Sequence, residues 1–116
     1  MKISRIAEIL NAEIVACSEL ADSEVCSACG SDMMSDVLAF VKDQAILLTG
    51  LVNTQVIRTA EMMDMRCIVF VRSKKPTAEM LELAEKCNIV VMTSKKRMYE
   101  ACGLLYINGL NNTEEA

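Results

Sequence analysis

The chain contains no histidine and no tryptophan, only two phenylalanines and two tyrosines, and few turn-formers: one proline and four glycines. Without histidine, nucleophile–imidazole triads and imidazole metal sites are excluded, and the commonest general base is missing. So few aromatic rings leave no stacking platform for single-stranded nucleic acid. The glycines are too sparse for a nucleotide fingerprint: neither GxGxxG nor a phosphate loop of the form GxxxxGK occurs. Long apolar runs are also absent, since none approaches the ~20 residues of a membrane span. Net charge is −4, which argues against a general nucleic-acid or anionic-membrane binder. The opening MKISRIAEIL carries Arg5 and Glu8 inside its apolar pattern and does not read as a signal peptide. Cytoplasm is the expected compartment.

What is present is an apolar chain of 116 residues, 53% hydrophobic, enough for one ordinary domain expected over 1–110, with 111–116 as a flexible tail. Its organising stretch is AILLTGLVNTQVIRTAEMMDMRCIVFV, Ala45 to Val71. An unalternating apolar run, a Thr-Gly turn, an amphipathic segment over Asn53–Met63 and a second apolar run make a β-α-β unit. Strands apolar on both faces imply a parallel sheet between helix layers. Similar spacing predicts an opening helix on Ile3, Ile6, Ala7 and Leu10, a strand over Glu13–Cys17 and a weaker strand through Val25 and Ala28 to Ser31. Ser31-Asp32 would cap a helix over Met34–Lys42, with Asp32 and Asp36 as partners of its N-terminal dipole. A helix over Thr77–Cys87, a strand over Ile89–Met92, a helix over Lys95–Cys102 capped by Ser94 and ended by Gly103, and a last strand over Leu104–Ile107 complete the reading. The expected architecture is α/β: three layers, α/β/α, around a mainly parallel sheet of about four to six strands.

In such a sheet ligands bind at the carboxyl ends of the strands, against helix N-termini. Those ends read Thr49-Gly50, Arg72-Ser73-Lys74-Lys75 and Thr93-Ser94-Lys95-Lys96-Arg97, and the last two hold half of the twelve basic residues. The strand-plus-junction Ile68-Val-Phe-Val-Arg-Ser-Lys-Lys is nearly repeated from Ile89. An anion site is expected there. Thr49, Gly50 and Asn53 would donate hydrogen bonds, Arg72, Lys74 and Lys95 would supply charge, and Ser73, Thr93 and Ser94 would be neutral donors. The competing expectation is a solvated basic rim whose hydroxyls only cap helices.

Cys26-Ser-Ala-Cys29 lacks a second cysteine pair or histidine to complete a tetrahedral set, and on a strand its two thiols point to opposite faces. No metal and no cofactor are expected, and the six cysteines fill core. Met62, with Gln55, Arg58 and Thr59, lies off the sheet-facing stripe of the 53–63 helix and is a candidate homodimer contact.

SDMMSDVLAF (31–40), ILLTGLVNTQVIRTAEM (46–62), IVFVRSKKP (68–76) and the closing CGLLY (102–106) resemble the DRTGG domain across essentially the whole chain. The family's acidic and Thr-Gly positions resemble Asp36 and Thr49-Gly50, although the literal string does not occur. The resemblance implies regulation rather than catalysis. Such domains accompany CBS domains in regulated pyrophosphatases and precede phosphotransacetylases, and their fold is similar to the N-terminal domain of HPr kinase/phosphorylase. Stand-alone copies occur in anaerobic bacteria near iron-hydrogenase and signalling genes.

The expected function is therefore a non-catalytic regulatory domain that binds a small anionic, nucleotide or phosphate-containing metabolite. It would be homodimeric and act on a partner enzyme or signalling protein, with no nucleic acid and no membrane. A ligand-free interaction or assembly module is the alternative, and a small phosphotransferase or hydrolase the third.

Overall fold

The computed structural model describes residues 1–40 and 45–111. The apolar run from Ala45 becomes a strand buried along its whole length, Ala45–Thr49 (β3), and its neighbours are Ser27–Gly30 (β2), Cys67–Phe70 (β4) and Val90–Thr93 (β5). These four are mutually parallel. Glu13–Ala16 (β1) runs antiparallel beside β5, giving the order β1-β5-β4-β3-β2.

Five helices among the described residues cover the two faces: Ile3–Leu10 (α1), Met34–Phe40 (α2), Thr54–Met62 (α3), Ala78–Cys87 (α4) and Met98–Ile107 (α5). Along β3 the side chains alternate between two cores. Ile46 and Leu48 pack with Ile3, Ile6 and Leu10 of α1 and Ala101 and Leu105 of α5. Ala45 and Leu47 pack with Val37 of α2, Val56, Ile57 and Ala60 of α3, and Met80 and Ala84 of α4. Strands apolar on both faces thus become the middle of three layers, as the missing polar alternation requires.

The sequence places most boundaries within a residue or two, because each is set by local chemistry. Thr77 caps α4, its hydroxyl accepting from Met80 N at 3.2 Å, and Asn88 ends that helix in the left-handed region at φ 58°. Asn11 ends α1 in the same way. Asparagine tolerates this conformation because its short polar side chain bonds locally.

The carboxyl-terminal third departs from expectation. No helix begins at Lys95. Instead residues 94–96 form a turn bonded to the neighbouring junction, with Arg72 N donating to Lys96 O at 2.8 Å and Ser73 N to Ser94 O at 3.0 Å. The helix α5 starts only after Arg97, and Ser94 does not cap it. It then runs through Gly103, although glycine costs about 1 kcal/mol relative to alanine inside a helix. The expected strand over Leu104–Ile107 is its last turn, because Leu105 continues the buried stripe begun by Ala101 one turn earlier. Thr59, read as lying off the sheet-facing stripe of α3 and as part of a candidate homodimer contact, is instead fully buried and receives a 3.5 Å bond from Gln55. The end of the helix expected to reach Lys42, and the tail beyond Asn111, lie outside the described residues.

Candidate functional site

The carboxyl ends of β2 to β5 line one edge of the sheet, and the reversal of β1 brings Asn11 and Glu13 to the same edge, Glu13 standing opposite Thr93. The expected site residues divide there into two groups.

The first group is a knot at β3 and β4. Asp32 turns away from α2 and accepts from Gly50 N at 2.8 Å and from the Thr49 hydroxyl at 3.0 Å, and its other oxygen lies 3.6 Å from the Arg72 guanidinium. Ser31, not Asp32, serves the start of α2, its hydroxyl accepting from Met33 N at 2.9 Å. The dipole role expected of Asp32 is corrected accordingly: a buried hydroxyl and a buried amide offer a carboxylate more than a helix terminus does. The Gly50 amide lowers the Asp32 carboxyl below the usual carboxylate range against the raising effect of partial burial, and Thr49, Arg72 and Lys74 add to the lowering. Arg72 lies so close over Gly50 that an added Cβ would overlap its guanidinium. Thr49 is fully buried and also accepts from Leu51 N at 3.1 Å, so its hydroxyl is committed internally. Lys74 sits near enough for its charge to act on Asp32, and Asn53 is exposed at the start of α3 with no capping bond from its side chain.

The second group lines a cleft of about 310 Å³ at β5 and β1: Ser73, Thr93, Ser94 and Lys95 from the expected set, with Asn11, Glu13 and Lys75. Ser94 is buried, its hydroxyl donating to Leu10 O at 2.9 Å and accepting from Lys96 N at 3.2 Å, so it forms the floor rather than a donor. Arg72 and Ser73 are consecutive non-glycine residues at φ 59°. Each such residue costs of order 1 kcal/mol, and here the strain is held by their amide bonds to the 94–96 turn. Those amides are therefore spent, and an anion in this cleft must be met by side chains.

Asp32, Asn11, Glu13 and Lys75 were missed in the sequence. Lys75 stood in the repeated Ser-Lys-Lys string. Asn11 and Glu13 had no local signal, because only the pairing of β1 with β5 brings them to the edge.

The expectation that all six cysteines fill core holds only in part: Cys17 and Cys67 are buried, Cys29, Cys87 and Cys102 are half-buried, and Cys26 is exposed. Cys17 donates from its amide to Glu85 at 2.8 Å and from its thiol to the same carboxylate at 3.6 Å, and burial, then Glu85, push that thiol up to about 11. Burial also raises Cys67 and Cys102, and burial, Cys102 and Asp36 raise Cys29. A thiol reagent near neutral pH is expected to spare Cys17 and Cys67 until the protein unfolds; rapid modification of either in the native state would contradict this.

The sequence profile of the DRTGG domain matches residues 5–106. The chain belongs to the DRTGG domain family. A solved structure, the CBS and DRTGG domains of the regulatory region of Clostridium perfringens pyrophosphatase complexed with activator, diadenosine tetraphosphate, superposes with a TM-score of 0.71 at 19% identity. The match covers 90% of this DRTGG domain and 45% of that chain, so the present chain spans less than half of its length. That likeness bears out the α/β fold. No curated protein matches the chain. In this DRTGG domain the acidic partner of Thr49-Gly50 is Asp32, while Asp36, the position the resemblance suggested, stays exposed in the first turn of α2.

Proposed function

We propose that this DRTGG domain is a non-catalytic regulatory domain that senses a small anionic, phosphate-bearing metabolite at the carboxyl edge of its sheet. One observation carries the reading. Lys75 and Lys95 border a single cleft, and no ion pair or hydrogen bond among the described residues neutralises their side chains. Two ammonium groups against the one carboxylate of Glu13 leave the cleft net positive beside Ser73 and Thr93, and such a cleft attracts an anion such as a phosphate group. A nucleotide activator on the regulatory region of the C. perfringens pyrophosphatase supports the same class of ligand. The charge then comes from Lys75 and Lys95, with Lys74 turned to the Asp32 knot. The domain works in the cytoplasm as a homodimer, joined through the outer side of α3 where Met62 is 69% exposed, and passes ligand occupancy to a partner enzyme or signalling protein.

A second reading, a ligand-free assembly module, draws on α5, whose Tyr99, Tyr106 and Ile107 are exposed apolar side chains. No helix among the described residues is long and apolar enough to cross a membrane.

Thermal denaturation with inorganic phosphate, acetyl phosphate, nucleoside phosphates and diadenosine tetraphosphate separates the two. Ligand at a hundred times its Kd is expected to stabilise the domain by about 2.7 kcal/mol. Lys75→Glu combined with Lys95→Glu is expected to abolish that shift while leaving the unliganded melting temperature within a degree or so, since both residues are exposed. No saturable shift with any of these compounds would leave assembly as the function.

A further inference from the structure

We infer that the ligand of this cleft is a guanine-type nucleotide, anionic at one end and hydrogen-bond donating at the other. The inference rests on the anion reading above and adds to it the demand made by Glu13.

Glu13 faces the same cleft as Lys75 and Lys95, yet no ion pair or hydrogen bond among the described residues joins it to either. Its backbone is fixed as the strand partner of Thr93. A bare phosphate would therefore sit beside an unpaired carboxylate, and the repulsion would offset part of what the lysines contribute. The cleft also continues into a smaller pocket of about 160 Å³ that shares Glu13, Lys75 and Thr93 and is otherwise walled by Val15, Pro76 and Leu81. A phosphate has no use for an apolar wall. A flat ring does.

These features define one chemistry. The phosphate lies against Lys75 and Lys95, the ring packs on Val15, Pro76 and Leu81, and the ring edge meets Glu13. An ionised carboxylate only accepts, so the ring must present N–H donors to it. Guanine offers two adjacent donors, a ring N–H and an exocyclic amine, matched to the two oxygens of one carboxylate. Adenine sets a ring acceptor beside its amine and would oppose one of those oxygens with a lone pair. Ribose 5-phosphate carries the anion alone.

Binding of guanosine, adenosine and ribose 5-phosphates measured calorimetrically on the whole chain tests this. Guanosine monophosphate is expected to bind at least about tenfold more tightly than adenosine monophosphate or ribose 5-phosphate. Glu13→Gln is expected to erase that advantage while ribose 5-phosphate binds as well as before or better. Ribose 5-phosphate binding with no preference for guanosine monophosphate would overturn the inference and leave the anion site standing. So would an unchanged preference in Glu13→Gln. Failure of every phosphate to bind would remove both.

Discussion

Asp32→Ala is expected to lower the melting temperature by roughly 8–10 °C, the counterpart of about 2–3 kcal/mol. The loss comes less from the Arg72 ion pair, which is half exposed at both ends, than from what alanine leaves behind. The Gly50 amide and the Thr49 hydroxyl are buried, and Asp32 is the acceptor for both. Stranding buried donors carries their full desolvation penalty. Arg72→Ala removes only the outer partner and should cost under about 1 kcal/mol. The pH dependence has a definite sign. The folded-state carboxyl titrates below its ordinary value, so its contribution is complete above about pH 4 and fades as pH falls through the lowered value. The gap between wild type and Asp32→Ala should therefore narrow on going from pH 7 to pH 3, as read by calorimetry at both. A gap that stays constant would mean that the ionised carboxylate contributes nothing special.

Phe70→Ala should have the largest effect of any single substitution, about 3–5 kcal/mol, which is a large share of the stability of a domain this size. Phe70 is fully buried at the end of β4 in the core shared with α3 and α4, and it heads the largest side chains in the interior. Its carbonyl receives Ser94 N at 3.0 Å, and the strained Arg72-Ser73 pair begins two residues on. A cavity there withdraws support from the turn that carries both halves of the site. Urea denaturation should show a lower midpoint at an unchanged slope, and affinity for the cleft ligand should fall with it. A destabilisation under 1 kcal/mol would show that neighbouring side chains collapse into the space.

The contrast between these two residues shows what was legible in the sequence. Phe70 announced itself as core, because an apolar run of five, Cys67–Val71, beside an amphipathic helix has few other fates. The same logic gave β3, β4, β5, α3 and α4 nearly to the residue. Asp32 was misread because a helix N-terminus explains any acidic residue before a helix, and nothing local says that Thr49 and Gly50 lie closer. Gly103 was misread for a related reason: glycine often ends helices, but here packing of Leu105 on the sheet outweighs its intrinsic cost. The Ser-Lys-Lys repeat did mark adjacent junctions, joined as Ser73 to Ser94, although the two serines do different things, one exposed and one buried. Glu13 could not have been found by pattern at all. Its place follows from a pairing across about eighty residues of chain.

That long-range pairing has a kinetic corollary. Closing the loop between β1 and β5 demands more chain entropy than zipping successive β-α-β units, so the amino-terminal strand is expected to dock late in folding. The cleft, which needs Asn11 and Glu13, would then be completed only when that strand docks. Until it does, β5 shows an open edge, and a ligand seated between the two strands would hold the last-joined piece of the chain in place.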